Sequence, residues 1–374
     1  MRNGFVGVAT PYYVEKGIPY LQSNNIRRNK IDKTQMVYIN KEFHEKHEKS
    51  MLKENDILVV QSGHAGECTV VPKEFEGCNC HALIIMSPND VASINSTFCA
   101  YYLNSPVGIK KLFPLITGNT IKHILASEMK KLRINLPSLN EQNKLSHFLS
   151  IIDKKIDLLE NKLQEYMDFK KYLMQQIFAQ KLRFDFDDKW KNIPFKKLLK
   201  EINEKTTVNN QHEILSSTKE GIFTQKEYFA DRNVASKDNT GYKILKKNQI
   251  VLSPQNLWMG NINVNTEFDI GIVSPSYKIY ETTDLVDINY FKHIIKLPRL
   301  IYEYTCASEQ GASIVRRNLN KELFNEITIK VPSPKEQEKI GKLFDVYDEK
   351  IKNIDKNIQD MKEFKKGLLQ QMFV

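Results

Sequence analysis

Apolar positions in two stretches of this chain recur at alternating intervals of three and four. One stretch runs Ile156, Leu159, Leu163, Tyr166, then Leu173 and Ile177; the other runs Ile351, Ile354, Ile358, Met361, then Leu368 and Met372. That spacing keeps one stripe of a helix facing a partner, the pattern of a helix–helix seam. Both stripes are interrupted at the same place by a lysine, Lys170 and Lys365. The match extends beyond the seam, because residues 134–178 and 329–373 align without a gap at a shift of 195, with about 17 of 45 positions identical. Among the shared residues are Pro137/Pro332, Glu141/Glu336, Gln142/Gln337, Asp153/Asp348, Phe169/Phe364 and Phe178/Phe373. A repeat of this length closing each half of a chain marks an internal duplication.

Each repeated segment is expected to form a helix of about 26 to 38 residues, roughly 40 to 57 Å long at 1.5 Å per residue. Each starts after a proline, with Glu-Gln in the first turn, where acidic side chains suit the helix N-terminus. A strip that long exceeds what one small globule can cover. Two matched seams in one chain can cover each other, antiparallel about a pseudo-twofold axis, with a globule at each end. The simpler alternative is two amphipathic helices packing locally and independently.

The segments ahead of the helices alternate differently. Ile57–Val60, Thr69–Val71 and Ala82–Met86 are short aliphatic or β-branched runs bounded by Gly, Asn, Ser and Pro, the signature of strands. Ser96 to Leu112 reads as helical, with Pro106 kinking or restarting it. Residues 190 to about 328 repeat that order loosely: Leu245–Ile250 answers Leu52–Ile57, Phe291 answers Phe98, and GASI at 311 answers GNTI at 118. The chain thus divides into a variable globule (1–133), a helical segment (134–184), a second variable globule (185–328) and a second helical segment (329–374), an α+β organisation with one scaffold presenting two surfaces.

Composition narrows the function. Lys and Arg exceed Asp and Glu by 55 to 45, for a net charge of +10 and a pI near 9.1. That excess suits a polyanion such as nucleic acid, although mildly basic proteins are common. No window approaches 18 apolar residues and the N-terminal residues lack the build of a signal peptide, so a cytoplasmic protein without a membrane partner is expected. Five cysteines without an export signal argue against a disulfide framework. Cys68, Cys78, Cys80 and His81 lack paired zinc-ligand spacing, and adjacent strand residues point to opposite faces, so buried thiols are expected and no metal. There is no Walker A loop, GxGxxG fingerprint or H-E-x-x-H helix, and SPSY at 274 is not a base-methylating motif; no catalytic residue is assigned.

A DNA reader needs cations for phosphates and amide or guanidinium groups for base edges. Asn24, Asn25, Arg27, Arg28 and Lys30 supply both in one short run, which could equally be a solvated turn. Ser62 and His64 follow one strand-like run; Gln255, Asn256 and Trp258 follow its counterpart, with Gly260 beyond. A glycine-bearing loop after a strand lets backbone approach a partner, and a hairpin with a core Trp is the alternative. The matched loops after the helices offer Thr120, Lys122 and His123 in one half, and Ser313, Arg316, Arg317 and Asn318 in the other. Small and hydroxyl residues followed by cations suit a phosphate cradle, against a helix cap with solvated charges.

The ends of both repeated segments, PSLNEQNKL with FKKYLMQQIF and PSPKEQEKI with FKKGLLQQMF, resemble the conserved regions of the specificity subunits of type I restriction-modification systems. GIPYLQSNNIRRNKID and LKENDILVVQSGHAG resemble a first target-recognition domain, and LSSTKEGIFTQKEYF with SPSYKIY a second. The resemblance covers essentially the whole chain. It implies two α/β target-recognition domains separated by two long antiparallel coiled-coil helices, and a non-catalytic subunit that reads a bipartite double-stranded DNA target, with the helices setting the distance between its halves. By the same likeness the partners are two modification (methyltransferase) subunits and, in the full complex, restriction subunits; S-adenosylmethionine, ATP and Mg belong to those partners and no cofactor to this chain. One departure stands out: DKWKNIPFKKLLKEINEK precedes the second recognition domain, whereas the first opens almost at Asn3-Gly4, as though shortened. A coiled-coil adaptor that never touches DNA is the rival; it accounts for the repeat but not for two globules or the charge.

Overall fold

A computed structural model describes residues 1–90, 92–229, 238–310 and 317–373. Its two long helices span Leu139–Phe178 and Pro334–Met372, 40 and 39 residues. Both slightly exceed the expected length; the first begins two residues after Pro137 and the second at Pro334 itself, since proline suits a first turn, where its missing N–H has no intrahelical partner anyway. The repeated glutamine explains why both helices start in the same way. Gln142 Nε2 donates to the Ser93 and Pro137 carbonyls, and its Oε1 accepts the Asn95 N–H, each at 2.9 Å. Gln337 does the same with the Leu285 and Pro332 carbonyls and the Asp287 N–H. Asn95 and Asp287 are in turn the N-caps of helices Ser96–Asn104 and Ile288–Ile294. Each buried glutamine therefore fastens a long helix to the globule that precedes it in sequence.

The chain forms two compact units, Met1–Leu163 with Ile354–Val374, and Gln164–Asn353. In the first, an antiparallel sheet runs in the order Arg2–Asn3, Leu83–Met86, Ile57–Val60, Cys68–Val70. In the second, the order is Leu199–Ile202, Lys278–Thr282, Ile250–Leu252, Ile262–Val264, also antiparallel. The central strands, Ile57–Val60 and Ile250–Leu252, are buried throughout, as expected for continuous aliphatic runs. A further sheet in the first unit, Tyr13–Val14, Val37–Ile39, Ile18–Leu21 and Asn79–Cys80, includes one parallel pair. Pro106 restarts rather than kinks its helix: Ser96–Asn104 ends, Ser105 accepts the Gly108 N–H at 3.1 Å, and Pro106–Leu112 follows. Cys68, Cys78, Cys80 and Cys99 are buried free thiols. Burial pushes Cys78 up to about 11 and Cys80 up to about 12, so both stay protonated core groups near neutrality.

The seam is made of matched antiparallel segments within each unit. In the first unit Lys365 pairs with Asp153 and Lys362 Nζ lies 2.7 Å from Glu160. In the second, Lys170 pairs with Asp348, and Tyr166 and Tyr347 rings sit 6.2 Å apart. The shift of 195 maps Lys170–Asp348 onto Lys365–Asp153, so the two lysines that interrupt the apolar stripe make one reciprocal ion pair, repeated. Each carboxylate also meets a globule side chain: Tyr101 Oη donates to Asp153 at 2.6 Å, and His293 Nδ1 lies 3.5 Å from Asp348.

Of the seam residues, Ile156, Ile354 and Ile358 are buried, and Leu159, Leu163, Ile351, Leu368 and Met372 are half-buried. Leu173, Ile177 and Met372, placed on the seam by the sequence, also pack into the globule cores. Leu173 and Ile177 join the core of the second unit with Phe195, Tyr290, Ile340 and Phe344. Met372 and Phe373 pack on the core of the first, with Phe98, Tyr102 and Leu149. The end of each long helix thus completes the globule belonging to the other half of the sequence, because a terminal turn presents more apolar surface than a single facing helix covers.

Candidate nucleic-acid interface

In the first unit, three separate stretches converge. Residues 26–31 form a tight hairpin, Ile26–Arg27 against Lys30–Ile31, whose turn places Asn29 in the left-handed region at φ 61°. Asn104, 75 residues away, holds that turn: its Nδ2 donates to Asn29 Oδ1 at 2.9 Å and to the Cys68 carbonyl at 2.8 Å. Beside it, Arg27 Nη1 and His64 Nε2 both reach the Ile26 carbonyl at 3.1 Å. The third stretch is itself a hairpin, Ile116–Thr117 against His123–Ile124, with Gly118 at φ 97° in its tip. It therefore does not cap a helix. Its base is tied to the loop after the central strand: Gly63 N–H donates to the Lys122 carbonyl at 3.1 Å, Ile124 N–H to the Gln61 carbonyl at 2.9 Å, and Ser62 Oγ lies 2.7 Å from His123 Nδ1. Thr120, Lys122 and His123 are exposed at the tip.

The second unit repeats the arrangement with other side chains. Ser308–Gln310 pairs with Arg317–Leu319, and the Arg317 N–H donates to the Gln255 carbonyl at 3.1 Å. The Arg317 guanidinium lies 4.5 Å from the centre of the Trp258 ring, a cation–π stack, with Nε buried and without a hydrogen-bond acceptor among the described residues. Leu257, fully buried, anchors the short turn that carries Trp258, and Gly260 closes it at φ 86°, where an added Cβ would meet Ile301 Cδ1 at 2.9 Å. Trp258 is thus a half-buried stacking partner rather than a core residue. Gln255 and Asn318 are exposed and Asn256 is half-buried. Ser313 and Arg316 lie outside the described residues.

Not every candidate faces outward. Asn25 is 1% exposed, with Nδ2 donating to the Asp32 carbonyl at 3.0 Å and Oδ1 accepting the Gln22 N–H at 2.9 Å. It shapes its loop and is corrected from a contact residue to a structural one; the local run of amides disguised a turn that closes on itself. Asn24 is half-buried, its Oδ1 without a hydrogen-bond partner among the described residues. Arg28 sits 3.3 Å from Glu67 and Lys30 2.6 Å from Asp157. The bond to Asp157 raises Lys30 above the usual lysine range and keeps it charged. Such exposed pairs are worth about 0–1 kcal/mol each, so a phosphate can replace the carboxylate at little cost. Asn104, the positioning group, carried no local sequence signal.

The two units thus follow one plan, each joining a polar loop after its central strand to the base of a hairpin and each closed by a helix of the duplicated pair. Residues 8–166 match the family described as Type I restriction modification DNA specificity domain. Among curated proteins, the EcoKI specificity subunit of Escherichia coli K12 is 24% identical over 217 residues, 56% of this chain and 45% of that protein. The StySPI specificity subunit of Salmonella potsdam is 26% identical over 183 residues, 46% of this chain and 37% of that one. The chain spans under half the length of these curated relatives. The fold is that of a solved S subunit from M. genitalium, at TM-score 0.61 and 17% identity over 100% of this chain and 93% of that one. A chain from a study of type I R-M complex assembly and conformational transition aligns at TM-score 0.53 and 14% identity over 95% of this chain and 91% of that one. The family match covers residues 8–166, and the fold over the whole chain is shared with that solved S subunit from M. genitalium.

Proposed function

We propose that this chain directs a type I restriction-modification complex to DNA by reading a bipartite double-stranded target, one half-site per recognition domain. The observation that supports this best is the recurrence of the same coupling in both halves: Lys122 and His123 joined to the Ser62–His64 loop, and Arg317 joined to the Gln255–Trp258 loop. Cations on the hairpins position the duplex by its phosphates, while the neighbouring amides, hydroxyl and imidazole meet base edges. Because those side chains differ between the halves, the half-sites differ too. The chain supplies no catalytic group; methyl transfer, ATP hydrolysis and cleavage, with S-adenosylmethionine, ATP and Mg, belong to modification and restriction subunits.

Two modification subunits dock on the helical segments. Supporting this, the repeat-related pairs Ile151/Val346 and Phe169/Phe364 are 49, 48, 48 and 53% exposed. Ile151 and Phe364 flank the Asp153–Lys365 ion pair, as Val346 and Phe169 flank Asp348–Lys170, so the same apolar duo is presented twice, as two copies of one partner require.

Selection from random-sequence DNA, alone and with a modification subunit, tests the reading. A split motif is expected, with affinity falling by a log–log slope of about −0.9 per neutralised phosphate as salt rises. Replacing Lys122 and Arg317 by Ala should reduce that slope by about two and weaken all sequences alike, whereas Gln255→Ala should relax one half-site only. Enrichment of no motif would leave the adaptor reading instead.

A further inference from the structure

Lys243 opens a strand of the second unit, Lys243–Lys246, paired antiparallel with Ile270–Val273, and is only 6% exposed. Among the described residues no carboxylate and no hydrogen-bond acceptor meets its ammonium. The charged groups that act on it are Lys278, Glu201 and Lys205, and Glu201 is already engaged: its two oxygens accept from Lys278 and Lys321, each at 2.7 Å. Four lysines from four different elements thus share one carboxylate. Lys205 and Lys321 are exposed and Lys278 is half-buried, so the cluster reaches solvent. Burial, with Lys278 and Lys205 reinforcing it and Glu201 opposing it, holds Lys243 below the usual lysine range, as expected of an ammonium short of negative charge.

The fold does not require a cation at this position. Continuing the correspondence of Leu245–Ile250 with Leu52–Ile57, Lys243 answers Ser50. Ser50 is 3% exposed, and its hydroxyl donates to the His47 carbonyl at 2.9 Å and accepts from Asn79 Nδ2 at 2.8 Å. The first unit fills the place with a small neutral group whose bonds are made. The second keeps a charge there without a counter-ion, which is unfavourable until an anion arrives.

We infer that Lys243, with Lys205, Lys278 and Lys321, forms a phosphate-binding site in the second unit, in addition to the hairpin cations. Phosphate presents several acceptor oxygens to ammonium groups that converge from different elements. Lys278 and Lys321 can turn toward it from Glu201, because pairs this exposed hold weakly. Two sources share that chemistry, a phosphodiester of a bound duplex and a free phosphate compound; the first rests on the DNA reading above and the second does not. Lys321 follows the hairpin strand Arg317–Leu319 by two residues, which favours the duplex.

Acetylation of the unaltered full chain, read lysine by lysine by mass spectrometry, tests the site without a variant. Inorganic phosphate should slow labelling of Lys243 and Lys278 relative to chloride at equal ionic strength, and a duplex should do the same if DNA is the source. Lys243→Met should then lower the salt slope of duplex binding by about 0.9 for every sequence and leave the selected motif unchanged, and Lys243→Arg should restore the slope. Glu201→Gln, which frees two ammonium groups, should strengthen protection by phosphate. Protection by phosphate with an unchanged slope would assign the site to a free phosphate compound. Selection of no DNA motif would end the DNA reading and leave the phosphate arm standing. Equal labelling of Lys243 in phosphate, duplex and chloride would overturn the proposal.

Discussion

Phe373 closes the second half of the sequence but packs in the core of the first unit, so its removal should damage a globule more than 200 residues away in the chain. The ring is 3% exposed, edge-on to Phe98 at 5.4 Å and perpendicular to Tyr102 at 5.6 Å. Truncating a buried Phe to Ala costs about 3–5 kcal/mol through lost transfer energy and the cavity left behind. The lower figure is expected, because a helix end relaxes toward the gap more easily than a residue packed on every side. With two units, a single melting temperature would mix two transitions, so the effect is best read locally by native-state hydrogen exchange. Phe373→Ala should lower protection in Phe98–Leu103 by about a hundredfold, at about 1.4 kcal/mol per factor of ten, and leave Tyr290–Ile294 unchanged. Phe178→Ala should do the reverse, more mildly, since Phe178 is only half-buried against Tyr290 and Phe344. Loss of protection in Tyr290–Ile294 on changing Phe373 would refute the crosswise packing.

Lys170→Asp should destabilise the second unit and Asp348→Lys should do likewise, while the double exchange restores part of the loss; a coupling of about 0.5–3 kcal/mol in a denaturation cycle is expected for groups in direct contact, and strict additivity would dissolve the pair. His293 makes the second unit sensitive to acid. Burial pushes it below the usual imidazole range although Asp345 accepts its Nε2–H at 2.8 Å. Between that lowered value and about 6.5 in the unfolded chain, the unfolded state binds more protons, so stability present above about pH 6.5 is lost as pH falls through the window. Exchange in the second unit should quicken there, and His293→Phe should flatten the response; an unchanged pH profile in that variant would remove His293 as its source.

Much of this protein is legible in one dimension wherever the signal is periodic or repeated. The seam at Ile156, Ile354 and Ile358, the restart at Pro106, and the buried strand Ile57–Val60 all follow from local spacing. Convergence of Ser62 with His123, and of Gln255 with Arg317, was legible only as a correspondence between halves, since no local pattern says which loops meet. Asn25 was misread because an exposed amide and one that closes its own loop look alike in sequence. Asn104 left no trace, because its partners, Asn29 and Cys68, are distant in the chain.

The sequence by itself determined that the chain is duplicated, that its halves end in helices with matched seams, and that Lys170 and Lys365 hold equivalent places. Periodicity and self-similarity are properties of the string. Only the tertiary structure decided what those lysines pair with and which globule each helix end completes. Those outcomes depend on burying apolar surface and satisfying charge among residues far apart in the chain, and that competition is settled only when the whole chain packs.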